Sequence, residues 1–207
     1  MNRLLWLSAL IVIIDQASKL AIKGFNLLGI RHEGMGLYES RQILGDLLRF
    51  TYVENPGMAV GLDFGMPVIL SLFSLAASIF LVLLLRRTEK SGITGLRVAL
   101  ALILGGAVGN LIDRVFYGLF YGYASIFYGR VVDFVDINIP DIHFLGLHLD
   151  RFYVFNIADA AVSIGVVLLL IYYPSRREEQ NRRQPGTPVP EGGEDSPSRL
   201  QHEQAEG

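Results

Sequence analysis

The sequence predicts an all-α membrane protein: four transmembrane helices with a small extracytoplasmic β-sheet and an interfacial amphipathic segment. Three observations predict it. Of the 207 residues 51% are hydrophobic and only 18% are charged, well to the apolar side of an average soluble domain. The apolar residues are gathered into runs near the ~20 that a helix needs to cross ~30 Å of hydrocarbon. Basic residues crowd the links on one side of those runs and are sparse on the other.

The first run, 4–22, is broken only by Asp15, Gln16 and Lys19. A cleaved leader would show a clean apolar core followed by a small-x-small site, and Asp15 and Lys19 sit where that core should be. The run therefore reads as an uncleaved span. The second run, 67–85, carries no charge; the third is 96–112, and the fourth, 154–173, contains Asp159. Arg86, Arg87, Lys90 and Arg97 lie around the link between the second and third runs, and Arg176, Arg177, Arg182 and Arg183 follow the fourth. The long loops 23–66 and 113–153 carry few basic residues, mixed with acids. Both termini are thus expected in the cytoplasm and both long loops outside.

Residues 1–173 form the expected membrane domain. From 174 to 207 the chain is rich in Pro, Gly, Glu, Gln and Arg and cannot bury enough surface to offset its ordering entropy, which predicts a disordered cytoplasmic tail. The outer loops look more structured. Residues 47–64 mix β-formers with a turn-like Asn55-Pro56-Gly57 and predict a small hairpin or sheet. Residues 115–128 are crowded with Phe and Tyr, which favour the membrane–water interface. The net charge of −2 gives no basic excess for nucleic acid, and the absence of cysteine excludes disulfides, thiolate metal sites and thiol nucleophiles.

An ionisable residue inside a span is costly, and its default reading is functional. At 1.5 Å per residue, Asp15 lies roughly 16 Å and Lys19 roughly 22 Å into the first span, both in the outer half. Asn110, Asp113 and Arg114 close the outer end of the third span. Asn156 and Asp159 lie near the outer start of the fourth, and Asp133 lies in the outer loop just before it. Polar groups from three spans therefore meet at one depth. Asp15 and Lys19, spaced i,i+4, share a helix face and can pair, either as part of a site or only to fix helix packing. Gly105-Gly106-Ala107-Val108-Gly109 reads as helix-packing chemistry; no lysine follows it to make a phosphate loop.

Two carboxylates close together cannot both ionise easily, so one keeps a proton while the other acts as a base. Such a pair can activate water and protonate a carbonyl oxygen, which is the chemistry of aspartic peptide hydrolysis. Rival catalysts are poorly supplied. The sequence has no HExxH, GxSxG or GxGD, and its four histidines lack zinc-ligand spacing. Ser18 and Lys19, adjacent on a helix, point to different faces. A proton-coupled transporter using intramembrane Asp residues is the alternative of another class, and a non-catalytic membrane scaffold is a third.

Five blocks carry a family resemblance: Asp15-Gln16-Ala17-Ser18-Lys19; Asn55-Pro56-Gly57-Met58-Ala59-Val60-Gly61; Gly105 through Asn110-Leu111-Ile112-Asp113-Arg114; Val131-Val132-Asp133-Phe134; and Phe155-Asn156-Ile157-Ala158-Asp159. In this order, over residues 4–173, they resemble bacterial lipoprotein signal peptidase, or signal peptidase II. The resemblance implies an aspartic peptidase of the bacterial inner membrane without metal or organic cofactor, and the chain is expected to be a monomer. It would cleave lipidated prolipoproteins just before the diacylglyceryl cysteine and bind membrane lipid and the cyclic peptide globomycin. It implies Asp133 and Asp159 as the catalytic pair. Asp15, Lys19, Asn55, Gly57, Ala59, Asn110, Asp113, Arg114, Asn156 and Ala158 would shape or support the site. Two stretches depart from the family pattern: 119–129 lengthens the gap between the third and fourth blocks, and 137–151 is long. The expectation is an enlarged outer loop around an intact site.

Overall fold

The structure is a computed structural model that describes residues 2–57, 67–88, 94–138, 142–144, 147–149 and 153–183. Its first helix, α1 (Asn2–Lys23), is rich in Leu, Ile and Ala and stops at Gly24, whose φ of +80° ends a helix at no steric cost. A hairpin grows straight from this end: β1 (Gly24–Leu27) pairs antiparallel with β2 (Ile30–Glu33). Then β3 (Ser40–Leu44) turns through Gly45 into β4 (Leu48–Asn55). Two apolar helices follow, α2 (Pro67–Arg87) and α3 (Thr94–Ile112), the latter running on through a π-helical turn at Asp113–Tyr117 and a last short turn, α4 (Gly118–Phe120). After β5 (Val131–Ile137) and a small ribbon of β6 (Ile142–Phe144) with β7 (Leu147–Leu149), the helix α5 (Ile157–Arg183) closes the order.

The chain divides into two units, Met1–Tyr173 and Pro174–Gly207, and the functional residues lie in the first. In that unit α3 is the helix the others share. The Ser8 hydroxyl on α1 donates to the Ala101 carbonyl at 2.8 Å. A Cβ on Gly105 would fall 2.8 Å from Ile11 Cβ, and one on Gly106 would fall 2.7 Å from Val162 of α5. The glycine run is thus a packing surface that presents one face to α1 and another to α5. Leu85, Leu96, Leu100 and Leu104 bury against each other near the α2–α3 link, while Ile22, Met35, Tyr52, Tyr117, Val132 and Phe134 make a second core under the sheet. Large apolar side chains elsewhere on the helices, such as Trp6, Ile13, Phe73, Phe80, Leu170 and Ile171, are exposed, as faces that contact lipid would be.

Several element boundaries differ from those expected from the sequence. Three helical stretches are long and apolar enough to cross a membrane: Leu4–Lys23, Pro67–Arg87 and Thr94–Phe120. The third outlasts its expected end at 112 because the π-helical turn carries it past Asp113. The fourth is a shorter apolar helix, Ile157–Tyr173. It starts later than 154 because Phe155 exchanges backbone hydrogen bonds with Val135, extending strand β5's neighbourhood in place of the helix. Helix α5 continues to Arg183, across residues expected in the tail, where Arg, Glu and Gln are good helix formers; 184–207 lie outside the described residues.

The single expected sheet is three antiparallel sheets among the described residues, ordered β1-β2, β3-β4-β5 and β6-β7. The turn of the main hairpin falls at Gly45 and not at Asn55-Pro56-Gly57. There the Asn55 side-chain oxygen accepts from the Gly57 N–H at 2.9 Å, and Gly57 has φ +113°, so the motif ends a strand. Asp133, expected in a loop, lies in β5, whose Val-Val-Asp-Phe-Val-Asp-Ile alternates β-formers.

The long stretch after α3 is two-sided: Tyr117 is buried, while Phe116, Leu119, Phe120, Ile126 and Tyr128 are exposed. It is pinned by Lys23. That ammonium donates to the Tyr52 hydroxyl at 2.9 Å, pairs with Glu54, and lies 4.3 Å from the Tyr121 ring centre. Arg130 reaches Glu54 from the other side at 3.4 Å.

Candidate active site

The C-terminal end of α1, the junction of α3 with its π-helical turn, strand β5 and the start of α5 come together around a fully buried lysine. The Lys19 ammonium lies 2.8 Å from Asp15 and 2.7 Å from Asp113, and donates to the Asn110 side-chain oxygen at 2.9 Å. All three charged side chains have no exposed surface. One cation between two carboxylates, with every ammonium proton placed, satisfies the condition on which a buried ion pair is tolerable. Both carboxylates do further work. Asp15 accepts from the Ala158 backbone N–H at 2.9 Å, at the N-terminus of α5 where unpaired amides and the helix dipole favour an anion. Asp113 accepts from the Val132 N–H at 3.2 Å and so fixes β5 against α3. Close approach is required here: a Cβ on Gly109 would fall 2.6 Å from an Asp15 carboxylate oxygen.

Asp133 and Asp159 are joined through two asparagines. The Asn156 amide donates to Asp133 at 2.7 Å and to the Asn110 oxygen at 3.1 Å, while the Asn110 amide donates to Asp159 at 2.7 Å. Asn156 and Asp159 also cap α5 reciprocally. The Asn156 side-chain oxygen accepts from the Asp159 N–H at 2.9 Å, and the Asp159 carboxylate accepts from the Asn156 N–H at 3.2 Å, which is a capping box built from Asn and Asp. Asp159 therefore sits in the first turn of α5, not deeper as its expected span start implied. Asp133 is held on its other oxygen by the Asn55 amide at 3.2 Å, and the same amide contacts the Tyr153 hydroxyl. Burial, with the Asp159 charge adding to it, pushes the Asp133 carboxyl up to about 7, against the hydrogen bonds from Asn55 and Asn156.

The structure thus brings together Asp15, Lys19, Asn55, Asn110, Asp113, Asp133, Asn156, Ala158 and Asp159 in one connected set. Gly57 braces Asn55, and a Cβ there would collide with Leu70 of α2. Arg114, half-buried, is close enough to feel the charges of Asp113, Asp133 and Asp159. Ala59 lies outside the described residues. Three further participants had not been singled out from the sequence. Gln16 donates to Asp113 at 2.8 Å and to Asp15 at 3.1 Å, and Tyr117 donates to Gln16 at 3.1 Å. Tyr153, more than half exposed, meets the Asn55 amide with its hydroxyl. Gln16 had a signal, since it lies between Asp15 and Lys19 in an apolar run. Tyr153 had none. Among the described residues no group of three or more His, Cys, Asp or Glu side chains could hold a metal; Lys19 occupies the place between Asp15 and Asp113 that a cation would take.

A family model described as Signal peptidase (SPase) II matches residues 7–174. The chain belongs to the signal peptidase II family. A lipoprotein signal peptidase of Chlorobium phaeobacteroides (strain BS1) is 36% identical over 168 residues, which cover 80% of this chain and 92% of that protein. One from Coxiella burnetii (strain Dugway 5J108-111) is 38% identical over 172 residues, 81% of this chain and 87% of that protein. A solved bacterial membrane enzyme, determined by the in meso method at 1.9 Å resolution, superposes with a TM-score of 0.60 at 28% identity, covering 84% of this chain and 93% of that one. Signal peptidase II is a membrane peptidase family, and the resemblance carried by the five sequence blocks is met across the whole length they span. The proton-coupled transporter reading loses its support.

Proposed function

We propose that this chain is an aspartic endopeptidase that removes the signal peptide from diacylglyceryl-modified prolipoproteins, with Asp133 and Asp159 as its catalytic pair. The observation that carries the reading is the pair's connection through Asn156 and Asn110. Asp133, whose carboxyl burial pushes up to about 7, serves as the acid. Asp159, held by the Asn110 amide and the Asn156 N–H, serves as the base. A water between them loses a proton to Asp159 as its oxygen attacks the scissile carbonyl, and Asp133 protonates the carbonyl oxygen. Collapse of the tetrahedral intermediate breaks the C–N bond, the amine leaves with the proton taken by Asp159, and Asp133 recovers its own from the gem-diol. Asp15, Lys19 and Asp113 do not react. They hold α1, α3, β5 and α5 in register, and Arg114 offsets the negative charge of the pair.

The same reading makes Ile157–Tyr173 the fourth span, about 25 Å long at 1.5 Å per residue, in the bacterial inner membrane. Both termini then face the cytoplasm, and the site opens at the outer leaflet, where the cleavage point of a lipid-anchored substrate lies. The enzyme works as a monomer among membrane lipids, and globomycin is its expected inhibitor. The test is cleavage of a diacylglyceryl-modified prolipoprotein by purified enzyme in detergent. Asp133→Asn and Asp159→Asn are each expected to lower the rate by at least about 100-fold while the protein melts normally; wild-type rates from either would overturn the pair. Alkaline phosphatase fused after Arg87 should be inactive and fused after Ile137 active, and the reverse pattern would overturn the orientation.

A further inference from the structure

The β1–β2 hairpin is the part of the fold that the peptidase reading leaves unused. Its register is regular, from Gly24↔Glu33 to Leu27↔Ile30, yet its strands beyond Phe25 are exposed on both faces. An isolated two-stranded ribbon of this size is marginal in water and needs something to lie against. Its tip is Leu27-Leu28-Gly29-Ile30, and those three large side chains are exposed, Leu28 to 93%.

The turn itself is unusual. Leu28 and Gly29 both have positive φ, +51° and +81°, the geometry of a tight hairpin turn whose first position favours Asn, Asp or Gly. A leucine there is strained, and Asn would fit both the backbone and water better. The most exposed position of the hairpin thus holds an apolar residue at a conformational cost.

The hairpin's base cannot stray from the membrane. Gly24 follows α1 without a linker, the Met35 N–H donates to the Ile22 carbonyl at 2.7 Å, and the His32 ring nitrogen lies 2.9 Å from the Ala21 carbonyl. A Cβ on Gly34 would collide with the backbone of Ile22, Lys23 and Gly24, so the base is packed tight against the helix end. Four residues of strand reach about 13 Å. The headgroup layer beyond the hydrocarbon is about 5–8 Å thick on each side, so a hairpin leaning from the end of a spanning helix keeps its tip within reach of that layer.

We propose that the Leu27–Ile30 tip inserts into the lipid leaflet at the C-terminal end of α1, as an apolar finger continuous with the helix's lipid-facing side. The inference does not depend on the catalytic pair. Its test uses the absence of cysteine from the chain: Leu28→Cys, and separately Ile30→Cys, each give one labelling site for an environment-sensitive dye. The labelled full-length protein is reconstituted in phosphatidylcholine–phosphatidylglycerol vesicles. Quenching by lipid spin-labelled near the headgroup should exceed quenching by aqueous iodide at least twofold at both positions. Adding Leu28→Asn to the Ile30→Cys protein should reverse that ratio while the turn persists. A dye quenched by iodide as freely as in water would overturn the proposal. So would lipid protection that appears only on adding prolipoprotein, or a label that cross-links copies of the chain in proportion to protein density.

Discussion

Lys19 is the residue whose loss the site can least absorb. Among the described residues it is the one cation paired with two fully buried carboxylates, Asp15 and Asp113, and removing it takes that partner from both. Lys19→Met is expected to cost about 3–5 kcal/mol, seen as loss of the melting transition or of detergent-soluble protein; Lys19→Met with Asp113→Asn should recover part of it, and full stability in the single variant would refute the pairing. Asp133 sets the pH behaviour. An aspartate near ~4 in the unfolded chain rises to about 7 here. Between those values the unfolded chain gives up the proton first, so the contribution of Asp133 to the stability of the fold is full below pH ~4 and is lost as pH rises through about 7. Cleavage should follow the same direction, falling about tenfold per pH unit above that value as the acid is lost; a rate that climbs from pH 7 to 9 would contradict the assignment. At this scale the sequence is informative where a polar residue interrupts an apolar run, as at Asp15, Lys19 and Asp159. It is silent on Tyr153, an ordinary loop tyrosine until Asn55, 98 positions away in the chain, is folded against it.

At the start of α5 one side chain has two separable duties. The oxygen of Asn156 caps the helix, and its amide steadies Asp133. Serine caps about as well as asparagine but has no amide to offer. Asn156→Ser is therefore expected to melt within about 1 kcal/mol of the parent and to lose most of its cleavage rate, whereas Asn156→Ala should lose both. Equal activity in the serine variant would show that the amide is dispensable. The Asn-x-x-Asp spacing that makes the cap is present in the sequence. The span boundary was harder to read, because Val154 and Phe155 are as suitable for a helix as for a strand and only the bridge to Val135 decides. For the same reason the π-helical turn at Asp113–Tyr117 left no mark in the hydropathy pattern.

Taken whole, the molecule divides into what hydropathy reports and what it does not. Spans declare themselves because each must be apolar along its own length, whatever it packs against. The sheet does not. β4 finds one partner just before it in β3 and the other in β5, with Leu48 opposite Ile137, a pairing no local pattern encodes. The glycine surface of α3 was legible as packing, but which helix met each glycine was not. Because Asn156 fastens the beginning of α5 to Asp133, occupancy and order are tied by mass action: whatever grips Asp133 also slows fraying of that helix. Globomycin binding should then retard hydrogen–deuterium exchange at the amides of Ala158 and Asp159, and in Asn156→Ser this retardation should shrink. Drugs that never touch α5 could thus be ranked by how quiet they make its first turn.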